Sequence, residues 1–250
     1  YETLNFGGYW NWDPVENASF VPWLVLLGAI HTMIAHKTSS SALKTSIILV
    51  IATFILVLYS TFLNRSGILG NASVHSFTDL GLSGQLLLYM GTFLLVAIGM
   101  SIYRWKDLPK DQKELGTYNR EFWVFVGAAV LGLSAFQLTF TTSIPVYNKI
   151  AEAFGILSNI ALPADQAEHY SKIQIWIFLA VAILSGIGQY VWWGKIKQST
   201  TFKPLVSPAL AATLLSVVFI NIGKIYTFSY IALLWSSLFA VLANFKILWF

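Results

Sequence analysis

Long apolar runs, separated by short polar segments, dominate the chain. Seven of these runs are about 20 residues long, enough for a helix to cross a hydrocarbon core of ~30 Å. They are continuously apolar and lack the alternation of β-barrel strands, so all are predicted to be helices. The pattern therefore predicts an all-α, polytopic membrane protein. The predicted spans are 17–36, 44–63, 84–103, 121–142, 172–194, 205–222 and 225–244.

The first span begins with a clear helix-start signal. Asp13 is a suitable N-cap, Pro14 fits the first helical position, and Glu16 stands where a capping box needs an acid. Capping and a functional role are both open for the two acids, since a helix N-terminus also attracts ligand carboxylates. Pro22 lacks an N–H and clashes with the preceding turn. We therefore predict a short interfacial helix, a bend and then the span.

Composition supports the membrane assignment. The chain has 250 residues, of which 56% are hydrophobic and 10% charged, with no cysteine. An integral membrane protein without disulfides, thiolate metal sites or thiol nucleophiles is predicted. The first residue is Tyr1 rather than Met, and the last residues are apolar, so we expect a fragment of a longer protein. We divide it into residues 1–83, with two spans, and 84–250, with the others.

Basic residues predict the orientation. The net charge of +4 is spread between apolar runs rather than gathered in one patch, which argues against a nucleic-acid partner. Eleven Lys and Arg residues fall on one side of the predicted spans and four on the other. By the positive-inside rule the first set is cytoplasmic. The tryptophan-rich start and the loops 64–83 and 143–171 are then extracytoplasmic. The cytoplasmic set is Lys37, Lys44, Arg104, Lys106, Lys110, Lys113, Arg120, Lys195, Lys197, Lys203 and Lys246; the other is Arg65, Lys149, Lys172 and Lys224.

An aromatic stretch precedes the first span. Residues 5–24 include two adjacent glycines, which allow close backbone approach. Tyr9, Trp10, Trp12 and Phe20 offer flat faces with few polar groups. This segment therefore suits a large planar ligand.

The four histidines differ in predicted depth. His31 lies 18 residues after Asp13, about 27 Å along a helix, in the cytoplasmic half of the first span. It either forms a hydrogen bond to a neighbouring helix or ligates a haem iron. His36 is predicted to be an interfacial polar residue, and His75 lies in the extracytoplasmic loop. His169 lacks helical metal-ligand spacing, and no catalytic triad or zinc motif is present.

Residues 8–24, GYWNWDPVENASFVPWL, resemble the tryptophan-rich haem-binding signature (WWD domain) of the cytochrome c maturation family, specifically its CcmF branch. In that family a membrane histidine follows the signature, as His31 does here. A returning span then leads to Arg-Ser-Gly and Ser-Val-His, matched by Arg65–Gly67 and Ser73–His75. The resemblance is sharp over residues 5–77.

The resemblance implies a set of haem-binding residues. His31 corresponds to a ligand of a resident b-type haem (haem b), and His75 to a ligand of the haem being delivered. Phe6 and Tyr9 stand where the family commonly has tryptophan. The second histidine of each pair lies outside the 250 residues, so this segment alone is expected to bind haem weakly or not at all. The implied haem-binding residues are Tyr9, Trp10, Trp12, Asp13, Glu16, Asn17, Trp23, His31, Arg65 and His75.

The resemblance also implies a function. A haem lyase of this family receives haem from a periplasmic haem chaperone and presents it to the Cys-x-x-Cys-His site of apocytochrome c. Two thioether bonds then form, with the help of subunits that handle the apocytochrome thiols. The expected location is the bacterial inner membrane, in contact with lipid and with the tryptophan-rich segment in the periplasm. Two alternatives stay open: a quinol-linked b-type haem protein and a polytopic transporter of haem or small molecules.

Overall fold

The protein is a row of membrane helices. A computed structural model describes residues 10–36, 41–70, 72–73, 75–77, 81–108, 120–191 and 203–249, so Phe6 and Tyr9 lie outside the described residues. Within these ranges the chain is helical, with no β-strand. Short 3₁₀ turns occur at Trp105–Asp107 and Lys203–Leu205. The helices are α1 (Pro14–Ala35), α2 (Ser41–Arg65), α3 (Ser83–Arg104), α4 (Arg120–Thr142), α5 (Ile144–Ala153), α6 (Gln166–Gly188), α7 (Val206–Gly223) and α8 (Phe228–Trp249).

Seven helices in the described part of the chain, all except α5, are long and apolar enough to cross a membrane. The predicted all-α polytopic fold is therefore confirmed. One span is displaced: α6 begins and ends six residues earlier than the predicted 172–194. The Asp165 side chain accepts a hydrogen bond from the Glu168 N–H at 2.8 Å, which caps the helix at this earlier point.

The division of the first element at Pro22 is wrong. Helix α1 continues through Pro22 as one helix of 22 residues. The proline costs one hydrogen bond to the carbonyl of Ala18. Pro22 and its neighbour Val21 are both buried, and contacts of α1 with α2 and α4 hold the helix together across the break.

Helix α5 was not predicted, because it lies in the segment 143–171 that was assigned to a loop. It begins at Ile144 with Pro145 in its first turn, a position at which proline favours helix formation. The chain after α5 is fixed by Asn148, whose Nδ2 donates to the carbonyl of Ile160 at 2.8 Å. The Asn148 Oδ1 accepts from the Ile160 N–H at 3.1 Å. This connection is therefore ordered by side-chain hydrogen bonds.

The contacts between helices follow the order α3, α2, α1, α4, α6, α8, α7. Helix α1 thus lies between α2 and α4, and buried Leu24, Leu131 and Leu138 belong to one core cluster there. Contacts described below place the starts of α1 and α6 and the ends of α2 and α4 together. We refer to this as the tryptophan-rich end of the bundle.

Helices α4 and α6 are joined by buried hydrogen bonds. Ser134 Oγ donates to Gln174 Oε1 at 2.6 Å, and Gln174 Nε2 donates to Gln137 Oε1 at 2.7 Å. Such bonds are valuable in lipid because an unpaired polar group there is costly. They fix the register of α6 against α4, and so the height of the residues at the start of α6.

Helices α6 and α8 approach closely at a glycine. A Cβ atom on Gly186 would lie 2.6 Å from Cε1 of buried Phe239, so this position has no room for a side chain. Small residues at helix crossings are the usual way for membrane helices to pack tightly. Phe239 in turn stacks on Trp235, with ring centroids 5.5 Å apart.

Candidate functional site

Five aromatic rings pack in a continuous row at the tryptophan-rich end, where four of them form a surface and the fifth, Tyr170, is buried against Trp12. Trp23 stacks on Phe20 at 5.3 Å between centroids, and Phe20 meets Trp10 edge-on, also at 5.3 Å. Trp10 meets Trp12 edge-on at 5.7 Å, and Trp12 stacks on Tyr170 at 5.6 Å. Trp10 and Trp23 are 42% and 50% exposed. This aromatic surface therefore has open faces on which a flat ligand could lie.

Trp12 is held in a strained position. Its φ of 56° lies in the left-handed region, which costs a bulky residue about 1–3 kcal/mol. Its carbonyl accepts a hydrogen bond from Nδ2 of the buried Asn17 at 2.8 Å. Tyr170, fully buried, supports the indole ring and is itself fixed by a 3.2 Å contact between its hydroxyl and Thr142 Oγ1. Packing from α1 and α6 thus holds this ring in place.

The two acids of the signature cap α1. Asp13 Oδ1 accepts from the Val15 N–H at 2.9 Å, and Glu16 Oε2 accepts from the Asp13 N–H at 3.2 Å, which completes a capping box. Glu16 Oε2 also accepts from the Asn11 N–H at 2.9 Å. The capping interpretation is therefore confirmed for both residues. It leaves a further role for Asp13 open, because the same oxygen has other neighbours.

The loop after α2 brings His75 to Asp13. Ser73 Oγ donates to Asp13 Oδ1 at 2.6 Å and accepts from the His75 N–H at 3.0 Å. His75 Nδ1 lies 3.5 Å from the same carboxylate oxygen, and the two side chains are 24% and 13% exposed. Leu69, fully buried against Leu63 and its neighbours, anchors the loop. A carboxylate beside an imidazole orients the ring and favours a proton on the nearer nitrogen.

Arg65 lies at the end of α2 near this loop. Its guanidinium carbon is 3.9 Å from the centroid of the Phe77 ring, a cation–π contact. The Phe77 N–H donates to the carbonyl of Asn64 at 3.1 Å, so the chain returns to the helix end. Arg65 is exposed and supplies positive charge at the tryptophan-rich end.

His31 lies on an exposed face of α1. Its Nδ1 is 2.7 Å from the carbonyl oxygen of Leu27, one turn earlier in the same helix. The predicted hydrogen bond to a neighbouring helix is therefore wrong. A carbonyl can only accept, so Nδ1 donates this hydrogen bond. His36, just beyond the last residue of α1, is exposed.

Two residues at the start of α6 also border the aromatic surface. Tyr170 forms its end, and His169 meets Tyr170 edge-on at 5.2 Å, with Nε2 3.5 Å from Thr141 Oγ1. Sequence reasoning missed Tyr170, although the capping pair Asp165 and Glu168 would have predicted a helix start here. No group of three or more His, Cys, Asp or Glu side chains able to hold a metal ion occurs among the described residues.

Comparison with known proteins identifies relatives for most of the chain. Residues 1–70 match the family described as cytochrome C assembly protein. CcmF of Haemophilus influenzae is 32% identical over 209 residues, 82% of this chain and 30% of that protein. CcmF of Pseudomonas aeruginosa is 30% identical over 253 residues, 98% of this chain and 36% of that protein. A CcmF N-terminal-like mitochondrial protein of Arabidopsis thaliana is 37% identical over 124 residues, 50% of this chain and 57% of that protein.

The chain spans about a third of the length of these bacterial relatives. No solved structure matches it. The family match includes the aromatic stretch, α1 and α2, and the bacterial relatives extend the similarity over most of the remaining helices. The chain is therefore a homologue of CcmF-type cytochrome c biogenesis proteins along most of its length, and its first 70 residues match the cytochrome C assembly protein family.

Proposed function

We propose that this chain is part of a haem lyase that acts in cytochrome c maturation. It presents haem for thioether attachment to the Cys-x-x-Cys-His site of apocytochrome c. Its relatives are named as cytochrome c-type biogenesis proteins. The observation that carries the proposal is the position of His75 against Asp13, next to the aromatic surface. An axial ligand and a planar aromatic platform are what a porphyrin-binding site needs.

The delivered haem is the substrate of this site. The aromatic surface would bind the macrocycle by its faces and edges and exclude water, while leaving the vinyl groups accessible. His75 would bind the iron through Nε2. Its other ring nitrogen, Nδ1, would face the Asp13 carboxylate, which would hold the ring in this orientation. The residues fit this role because Asp13, Ser73 and His75 already lie together.

The haem propionates need positive charge. The start of α1 carries the positive end of the helix dipole, and Arg65 lies at the same end of the bundle. A guanidinium binds a carboxylate through two parallel hydrogen bonds. The start of α1 is already capped by the Asp13 and Glu16 carboxylates, so we assign the propionates to the side of the aromatic surface that faces Arg65.

Thioether formation is an addition reaction that needs no external oxidant. Each cysteine thiol adds across one vinyl group, its sulfur bonding to one carbon and its hydrogen going to the other. This chain has no cysteine, so it offers no thiol that would compete with the apocytochrome. Its own contribution is to orient the haem. A periplasmic haem chaperone would supply the haem, and separate subunits would keep the apocytochrome thiols reduced.

His31 fits a resident haem b. Its Nδ1–H is bound to the Leu27 carbonyl and the ring is exposed, so in the neutral imidazole Nε2 would be the nitrogen that binds iron. Iron-bound histidines commonly donate their other nitrogen to a backbone carbonyl in this way. When bound, haem b supplies one-electron transfer, which suits reduction of the delivered haem iron. The role of His31 would be to ligate that haem from the face of α1.

The proposed location is the bacterial inner membrane. By the predicted topology, eleven of the fifteen Lys and Arg residues lie at the end opposite the aromatic surface, which supports a periplasmic position for that surface. In the proposed haem-handling part, residues 1–83, Trp12 stacks on Tyr170, which belongs to the part at 84–250. The two parts would therefore work as one membrane domain.

The test is a His75→Ala substitution in the full-length protein. We expect c-type cytochrome assembly to fall by at least about 100-fold in a complementation assay, because the iron loses a ligand that water replaces poorly. The absorption of the b-type haem should persist. The matched control is His36→Ala, an exposed histidine at the opposite end of α1, which should assemble cytochromes normally.

Two results would contradict the proposal. One is normal assembly by the His75→Ala protein at wild-type abundance. The other is a purified full-length protein without haem in a pyridine haemochrome assay, which would favour a transporter.

A further inference from the structure

An apolar groove lies between α2 and α3, away from the aromatic surface. Its volume is about 790 Å³, and all its lining residues except Ser101 and Lys106 are apolar. It is formed by Ile48 to Leu56 of α2 and by Leu94 to Lys106 at the end of α3. Helix α3 has no buried residue, so the groove is open at its outer side.

The depth of the groove matches one leaflet of a bilayer. From Leu94 to Lys106 the chain rises by about 18 Å at 1.5 Å per residue, whereas half of a ~30 Å hydrocarbon core is about 15 Å. A further membrane helix packed here would follow α3 along its whole length. A groove limited to half the span instead suits an acyl chain that enters from one surface.

Positive charge lies at the mouth of the groove. Lys106 belongs to its lining, and the Lys44 ammonium lies 5.8 Å from the centroid of the Trp105 ring. Arg104 is paired with Asp107 at 3.2 Å, whereas neither Lys44 nor Lys106 forms an ion pair with another described residue. Trp105 marks the level at which aromatic residues meet lipid headgroups. Basic pockets between membrane helices at this level bind anionic headgroups.

We propose that this groove binds an anionic glycerophospholipid of the leaflet at the lysine-rich end. One acyl chain would occupy the groove, and the phosphate would contact Lys44 and Lys106. The proposal rests on the groove and its two lysines and does not depend on the haem lyase function.

The test uses photolabelling of the full-length protein in nanodiscs. Phosphatidylglycerol and phosphatidylcholine, each with a diazirine on the acyl chain, are compared at equal mole fraction, and labelled residues are mapped by mass spectrometry. We expect phosphatidylglycerol to label residues 48–56 and 94–106 roughly 25-fold more than phosphatidylcholine does. This ratio follows from a binding free energy of about 1 kcal/mol for each of the two lysines. Lys44→Gln combined with Lys106→Gln should lower this to the phosphatidylcholine level.

Matched variants separate the groove from general effects. Lys149→Gln combined with Lys203→Gln removes the same charge elsewhere and should leave the labelling unchanged. Ala97→Trp fills the groove and should remove labelling by both lipids, whereas Val96→Trp, on α3 outside the lining, should not. Equal labelling by the two lipids, or labelling that survives the Lys44/Lys106 double substitution, would overturn the proposal. So would an unlabelled groove, because another part of the protein would then occupy it.

Discussion

The two ends of α1 hold their histidines in opposite ways. At the N-terminal end, Asp13 and Ser73, which are 60 residues apart in sequence, share a 2.6 Å hydrogen bond that brings His75 to the helix start. Near the C-terminal end, His31 is exposed and bonded to its own helix at Leu27. The first arrangement is held by contacts between segments of this chain. In the second arrangement, the His31 imidazole is exposed on the outer face of α1.

The two histidines therefore depend on different kinds of contact. The position of His75 depends on several tertiary contacts. Substitution of any one contact residue, even one distant in sequence, should therefore reduce cytochrome assembly only in part. The His31 end depends on one imidazole that bonds to its own helix, so only the loss of that ring should matter. The predictions below, in order of effect, test whether the two ends behave in these different ways.

The largest effect is expected for His31→Ala. The full-length variant should lose essentially all b-type haem, because the proposed axial ligand is removed. The pyridine haemochrome content of the purified protein measures this. His36→Ala, five residues later and also exposed, is the control and should keep its haem. A His31→Ala protein with a full haem content would contradict the difference proposed between the two ends of α1.

An intermediate effect is expected at Tyr170. Tyr170→Leu removes the ring stacked on Trp12 and should lower c-type cytochrome assembly by about tenfold, since an aromatic pair contributes roughly 0.5–1.5 kcal/mol beyond its buried area. Tyr170→Phe keeps the ring, loses the hydroxyl contacts with Thr142, Asn17 and Thr141, and should stay within about threefold of wild type. Haem staining normalised to protein abundance measures both. Equal losses in the two variants would show that the hydroxyl, not the stack, matters.

The smallest effect is expected for Ser73→Ala. It removes the hydrogen bond to Asp13 and the one from the His75 N–H, but buried Leu69 still anchors the loop, so assembly should fall by about threefold. The same haem stain applies. Ser76→Ala, whose hydroxyl donates to the exposed Phe77 carbonyl at 3.2 Å, is the control and should match wild type. An effect of Ser73→Ala as large as that of His75→Ala would mean that the loop itself collapses.

Much of the fold could be predicted from the sequence because it depends on local properties. Hydrophobic runs of membrane length gave all seven spans, and the order Asp13, Pro14, Glu16 gave the start of α1. These features need only the lengths of apolar segments and the chemistry of a helix terminus. His75 was assigned to the same side as the aromatic stretch by counting spans, and it lies at Asp13.

The remaining features depend on contacts between distant segments. The stacking of Tyr170 on Trp12 joins residues of α6 and of the segment before α1, and no local pattern encodes such a pair. Pro22 was expected to divide α1, but burial against neighbouring helices outweighs one missing hydrogen bond. The partner of His31 was sought on another helix, whereas a carbonyl one turn away is closer. The roles of the haem-binding residues stay predictions.

The left-handed backbone of Trp12 has a consequence for redesign of this segment. Glycine would adopt a φ of 56° freely, so Trp12→Gly would relieve local strain, yet it would delete the ring between Trp10 and Tyr170. Thermostability screens reward the first effect and do not detect the second. Any stabilised version of this protein should therefore keep position 12 unchanged.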